Sequence, residues 1–474
     1  MTKILMVASE AAPFAKTGGL ADVVGSLPAS LHRIGEDVAV LLPRYRAVAI
    51  EGGRRIYDYM PIWMGDVCYN TSVYQVGESV PYYFLDCPEL YDREGVYGNS
   101  RGDFPDNYIR YAVLSRAALE VARRIFRPQV IHCHDWQSAL VPAYIHTVLA
   151  ADPTFIGIKT LLTIHNLGYQ GLFPPEVLAE VGLPATLFRP EALEFFGRVN
   201  FMKAGILFSD AINTVSQAYA REIQTREYGW GLDGLLRSRS AALSGILNGA
   251  DYSQWNPESD PYLPAHYSRA DLSGKRVCKR ALLSEFGFVD PAAQDRPLIG
   301  MVTRLAGQKG ADLIAQVGED LAKEDLSLVA LGAGEPIYEK ILRDLAAAHP
   351  DNIAVRIGYD EGLAHRIEAG ADMFLMPSRY EPGGLNQLYS LRYGTIPIVR
   401  ATGGLDDTIE EATGFKFQEY SSAALLEAIR AALAEFRRPD QWSARVGRAM
   451  SKDFSWDVSA REYTDLYHRL TGAG

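Results

Sequence analysis

Four cysteines serve 474 residues, and Cys68, Cys87, Cys133 and Cys278 form no CxxC pair. That scatter excludes a disulfide framework and a zinc ribbon, and it suits a reducing compartment. Basic residues are also short: 47 Lys and Arg stand against 58 Asp and Glu, a net charge of −11. Non-specific attraction to nucleic acid or an anionic membrane is therefore disfavoured, and neither partner is expected. No apolar run approaches the roughly 18 residues needed to cross a bilayer. The stretch Ile4–Ala8 is too short for the core of an export signal, and Glu10 and Lys16 follow it at once. The expectation is a cytoplasmic chain whose first segment is a buried strand. With 48% hydrophobic and 22% charged residues it has the composition of a folded protein, long enough for two or three domains.

What is present is a repeated α/β grammar. Ile4–Ala8, the loop Lys16-Thr17-Gly18-Gly19, the helical pattern Leu20–Ile34 and the run Asp37–Leu42 read as one βαβ unit. Tyr82–Leu85, Val130–Cys133 and Thr160–Ile164 read as further strands, with Asn107–Ile125 and Ser138–Leu149 as helices and Tyr91–Pro105 and Leu172–Pro175 as long loops. From Pro297 the alternation restarts. Leu298–Thr303, Leu326–Leu331, Ile353–Ile357, Met373–Met376 and Ile396–Val399 are strand-like, separated by Ala311–Ala322, Pro336–Ala348, Glu361–Ala369 and Leu385–Tyr393. Two starts predict two doubly wound parallel-sheet domains, residues 1–245 and 246–456. A last helix, 457–474, is expected to pack back on the first. The string Thr17-Gly18-Gly19-Leu20-Ala21-Asp22 recurs as Thr402-Gly403-Gly404-Leu405-Asp406-Asp407, although six residues are too few to establish duplication.

Open α/β sheets bind ligands beyond the carboxyl ends of their strands. The residues falling there are Lys16 to Asp22, His134-Asp135-Trp136, His165-Asn166, Arg304, Lys309, Tyr359, Glu381 to Asn386 and Thr402 to Gly404. Arg304 and Lys309 suit a diphosphate, the first as a fork and the second as a point charge; a solvated loop is the competing reading. Lys16 beside Gly18 and Gly19 divides the same way between phosphate loop and ordinary turn. Glu381 precedes Pro382, Gly383, Gly384 and Leu385. Its carboxylate could take a sugar hydroxyl or simply complement a helix dipole. Tyr359 offers a stacking face for a base, or a core contact. Gly332-Ala333-Gly334 lacks the third glycine of a dinucleotide fingerprint, since position 337 is Ile337. His132, His134 and Asp135 alternate near a strand end and His132 and His134 would share one face, but no third ligand at a characteristic spacing completes the set, so no metal and no cofactor is expected.

These strings, with Leu247-Asn248-Gly249, resemble bacterial glycogen synthase and plant starch synthase nearly end to end. The resemblance implies the GT-B fold, two Rossmann-like domains with a deep interdomain cleft. It implies a retaining hexosyltransferase that moves glucose from ADP-glucose to the non-reducing end of an α-1,4-glucan such as glycogen. Carried over by position, Lys16, Gly18 and Gly19 hold the donor, Arg304 and Lys309 neutralise the diphosphate, and Glu381 orients the glucose. Gly383, Gly384, Leu385, Thr402, Gly403 and Gly404 line the phosphates, and Tyr359 stacks on adenine. Asp135, His165, Asn166 and Asn248 surround the transferring glucose, with Asp22, Tyr97 and Trp136 toward the acceptor. Many retaining GT-B enzymes carry a second Glu eight positions after the first; here that position is Tyr389. Nor is there an obvious DxD motif in a donor-site loop. The resemblance therefore implies front-face substitution aided by the leaving phosphate, without a metal. A UDP-glucose-dependent glucosyltransferase and a phosphorylase-like enzyme are the alternatives.

Overall fold

The computed structural model describes residues 1–472. It forms two compact units, residues 1–249 joined by the segment from Trp456 onward, and Ala250–Ser455.

The first unit is built on β1 (Lys3–Val7), β2 (Asp37–Pro43), β3 (Arg54–Met64), β4 (Val67–Val76), β5 (Tyr82–Asp86), β6 (Val130–His134), β7 (Lys159–Ile164), β8 (Ala211–Thr214) and β9 (Leu243–Gly245). Across the sheet they run β9-β8-β7-β6-β1-β2-β5-β4-β3. Seven strands are parallel, and β3 and β4 add an antiparallel edge. Apolar residues occupy both faces of the central strands, as a sheet covered on both sides demands: Ile4, Leu5, Met6 and Val7 have no exposed surface. The chain winds outward from β1 through β2 and β5, then returns to place β6 on the other side of β1. The switch point therefore lies between β1 and β6. Leu20, Val23, Val24, Leu27 and Leu31 line the buried stripe of the helix Gly19–Arg33. The C-terminal helix Trp456–Thr471 packs beside it, with Arg33 paired to Asp457 at 2.6 Å.

The second unit holds β10 (Leu298–Val302), β11 (Ser327–Gly332), β12 (Ile353–Ile357), β13 (Met373–Met376), β14 (Ile396–Arg400) and β15 (Phe415–Phe417). All are parallel, in the order β12-β11-β10-β13-β14-β15. Its switch point lies between β10 and β13. Those two strands pair only at Ile299↔Met373 and Gly300↔Phe374, so their carboxyl ends separate and open a crevice.

Several elements differ from the sequence expectation. The helix expected to end at Ile125 is α-helical over Asn107–Val121 and then widens to a π-turn over Ala122–Phe126. Ser138–Leu149 is two short helices, Asp135–Ser138 and Leu140–His146. Leu172–Phe173, expected as loop, pairs with Arg198–Asn200 in a small sheet, and Tyr91–Pro105 contains the hairpin of Gly98–Asn99 and Gly102–Asp103.

Candidate active site

In the first unit the site gathers at the carboxyl ends of β1, β6 and β7. After β1, Glu10 is buried, and its carboxylate accepts from the backbone N–H and hydroxyl of Thr17 and from the Tyr97 hydroxyl. This acid, which the sequence reading passed over, holds the glycine loop in place. Its only signal was an acidic residue set immediately behind a buried strand. Lys16 bonds Asp22 at 2.7 Å, so both candidate residues sit together at the start of the helix. Gly18 is extended, at φ −161°, and a Cβ at Gly18 or Gly19 would meet no heavy atom within 4 Å. Neither crowding nor a left-handed backbone accounts for glycine at these two positions.

Beyond β6, Asp135 stands at φ 54° and accepts the backbone N–H of His165 at 2.7 Å. Burial pushes its carboxyl up to about 7, opposed by the N–H groups of His165 and Asn166. His165 follows β7 and meets Nδ1 of His134 through its own Nε2 at 3.0 Å. Burial drives His132 and His165 down to about 3 and His134 well below its ordinary value, so all three rings are neutral near pH 7. His132 and His134 share a strand face, with ring centroids 4.1 Å apart. No cluster of His, Cys, Asp or Glu suited to a metal occurs among the described residues. Asn166 spends its Oδ1 on the N–H of Gly168 at 3.0 Å, which leaves the amide NH₂ for a ligand. Asn248 has a buried Oδ1 with no hydrogen-bond partner in the unit. Trp136 is 9% exposed, edge-on to Tyr111 and pressed against Phe173.

In the second unit the switch-point crevice is bridged by a charge pair. Lys309, from the loop after β10, meets Glu381, from the loop after β13, at 2.5 Å; Ser378 also donates to that carboxylate, at 3.1 Å. Glu381 is 6% exposed at its side chain and Lys309 24%. Lys309 is thus held in an ion pair and is not the free cation of a solvated loop. Arg304 is exposed, and among the described residues its guanidinium donates to the neutral amide of Gln308, at 2.9 Å. The two loops are also sewn together where Arg379 N–H donates to Gln308 O at 2.8 Å. Tyr359, 76% exposed, follows β12.

The glycines here differ from those after β1. Gly384 and Gly403 have φ 68° and 47°. A Cβ at Gly403 would fall 2.0 Å from Glu381 O, and one at Gly404 1.9 Å from Gly383 O. The N–H of Gly404 already donates to the carbonyls of Glu381 and Pro382, at 3.0 and 3.1 Å. That amide is therefore not offered to a phosphate, contrary to the sequence expectation, and the second TGG copy is glycine for packing. Thr402 immediately precedes the short helix Gly403–Thr408 and Leu385 the helix Asn386–Tyr393, neither with a side-chain hydrogen bond to the helix N-terminus.

The pattern described as "Starch synthase catalytic domain" matches residues 3–238, and that described as "Glycosyl transferases group 1" matches residues 285–446. With two doubly wound units carrying these sites, the chain is a glycosyltransferase of the GT-B class. It is 48% identical to the glycogen synthase of Koribacter versatilis, over 98% of both chains. Against that of Anaeromyxobacter dehalogenans (strain 2CP-C) it is 49% identical, over 99% of both. The catalytic domain of Starch Synthase IV from Arabidopsis thaliana, bound to ADP and acarbose, superposes with a TM-score of 0.91 at 34% identity, over 99% of each chain. A sucrose-phosphate synthase from Thermosynechococcus elongatus shares the fold at 0.63 and 18%, over 100% of each. The chain belongs to the glycogen synthase family.

Proposed function

We propose that this enzyme transfers glucose from ADP-glucose to the non-reducing end of an α-1,4-glucan, with retention at the anomeric carbon. The observation that carries the reading is the Lys309–Glu381 pair at the second unit's switch point, with the exposed Arg304, which has no carboxylate partner among the described residues, in the same loop after β10. A diphosphate arriving there gives Lys309 an alternative anion and Arg304 a first one. Glu381 is then released to accept glucose hydroxyls. The leaving ADP gains negative charge as the glycosidic bond breaks, and these cations stabilise that charge where it develops. Lys16, with Gly18 and Gly19 leaving room for close approach, holds the donor from the first unit. Asp135, His165, Asn166 and Asn248 receive the hexose. The solved starch synthase relative holds ADP together with acarbose, which supports an adenine nucleotide and an oligosaccharide as ligands. Tyr359 is exposed enough to stack on adenine.

Position 389, where a second carboxylate would stand, is a tyrosine, so a two-carboxylate double displacement gains no support. The reading is front-face substitution, in which a departing phosphate oxygen takes the proton of the acceptor hydroxyl. The test is turnover with glycogen and either ADP-glucose or UDP-glucose, scored as nucleotide released. Faster release of ADP is expected; preference for UDP-glucose, or a trapped covalent glucosyl-enzyme, overturns the donor or the mechanism respectively.

A further inference from the structure

A buried chain of hydrogen bonds joins the C-terminal helix to β6, β7 and β8, and the direction of each bond is forced. Asn213 lies 3.3 Å from the carbonyl of Thr214, which can only accept, so the amide NH₂ faces that carbonyl and also the Tyr463 hydroxyl at 3.1 Å. Asn213 Oδ1 then faces Thr163 and can only accept, so the Thr163 hydroxyl donates to it. The Thr163 oxygen, its own proton already donated, accepts a hydrogen bond from Nε2–H of His132 at 2.5 Å. A neutral His132 protonated on Nε2 has a lone pair on Nδ1, and the Tyr467 hydroxyl donates to it at 2.8 Å. His132, Thr163, Asn213, Tyr463 and Tyr467 all have no exposed surface.

His132 is thus clamped at both nitrogens and forms a fixed wall against His134, whose ring lies 4.1 Å away. Among the described residues His134 makes a single ring hydrogen bond, to His165, and its buried Nε2 has no partner. A buried N–H without an acceptor is rarer and costlier than a lone pair without a donor. The proton of His134 therefore belongs on Nδ1, where it is donated to Nε2 of His165. That leaves His165, neutral, with its own proton on Nδ1 as the ring donor available to a ligand.

We propose that Tyr463 and Tyr467 are positioning residues for His165: they fix His132, whose ring backs His134, and His134 in turn holds His165 by the bond that leaves Nδ1–H for the sugar. The proposal rests on the role given to His165 above and adds the helix that backs this row of rings. Neither tyrosine touches substrate; each acts by closing the chain that holds the next ring.

The test is nitrogen NMR of the full-length chain labelled at histidine, with steady-state kinetics on Tyr467→Phe and Tyr463→Phe, which remove only a hydroxyl. In the native chain His132 should carry its proton on Nε2 and His165 on Nδ1; a proton on Nε2 of His165 overturns the proposal. Tyr467→Phe should keep the tautomers but shift the ring nitrogen signals of His132, which loses the bond to Nδ1, and of His134 stacked against it. Its kcat should fall roughly tenfold while KM for ADP-glucose stays within about twofold, the signature of misplacement without lost binding. Unchanged kcat, or unchanged His134 signals, overturns it. Should Tyr467→Phe fail to fold, the native spectrum and Tyr463→Phe decide the question on the same terms. His165→Ala serves a separate purpose. Near-normal turnover there removes His165 from the sugar site, yet leaves the tautomer assignment standing.

Discussion

At the scale of single residues, the pair of Lys309 and Glu381 carries both stability and chemistry, and the two can be separated. Removing Lys309 alone strands a nearly buried carboxylate, which costs on the order of 3–5 kcal/mol when a buried pair is broken. Lys309→Ala should therefore lose both folding stability and turnover. Adding Glu381→Gln should restore most of the stability, measured by thermal melting, without restoring ADP release. Recovery of activity in the double variant would take both residues out of the reaction. The glycines allow a sharper comparison. Gly18→Ala should cost about 1 kcal/mol or less, since its Cβ meets nothing, while raising KM for ADP-glucose about tenfold. Gly404→Ala should fail to fold, because its Cβ overlaps a carbonyl. A soluble, active Gly404→Ala would contradict the packing role.

At the scale of the element, the ends of the strands determine how the site responds to pH. Asp135 sits at the β6 terminus with its carboxyl raised by burial to about 7, against about 3.9 in an unfolded chain. Folding takes up a proton between those values. The stability from this group is complete below about pH 4 and lost as pH rises through 7. Asp135→Asn keeps an oxygen for the His165 N–H and tolerates the positive φ. The melting temperature of that variant relative to the native chain should climb from pH 4 to pH 8; a flat difference would mean that Asp135 titrates normally.

The central strands were legible because both faces are apolar, giving unbroken runs such as Ile4–Ala8 and Leu298–Thr303. The β3–β4 hairpin was not, since only alternate residues of β3 (Met60, Ile62, Met64) are buried and that weak alternation drew no strand reading. The charged candidates announced themselves by following strands. The histidines did so too, but the hydrogen-bonded chain behind them did not, because its members lie on three strands and a helix. His132 and its partner Tyr467 are 335 residues apart.

At the scale of the whole molecule, the restart of the α/β alternation after Pro297 announced a second sheet, and the family strings tied both sheets to one enzyme. What no local pattern could convey is the path of the chain. It leaves the first unit after Gly249 and rejoins it at Trp456, and Gly249 is pinned there, since a Cβ on it would lie 2.5 Å from the Trp456 Cα. The outgoing and returning segments run side by side, with Ala250 N–H donating to Phe454 O at 2.7 Å. During synthesis, then, the ribosome must release nearly the entire polypeptide before the opening half can finish its core. Until Tyr463 and Tyr467 emerge, His132 waits with a bare nitrogen and an apolar slot stands empty beside it. The earliest-made part of this enzyme is thus the last to be completed, and nascent chains halted short of Trp456 are natural clients for chaperones.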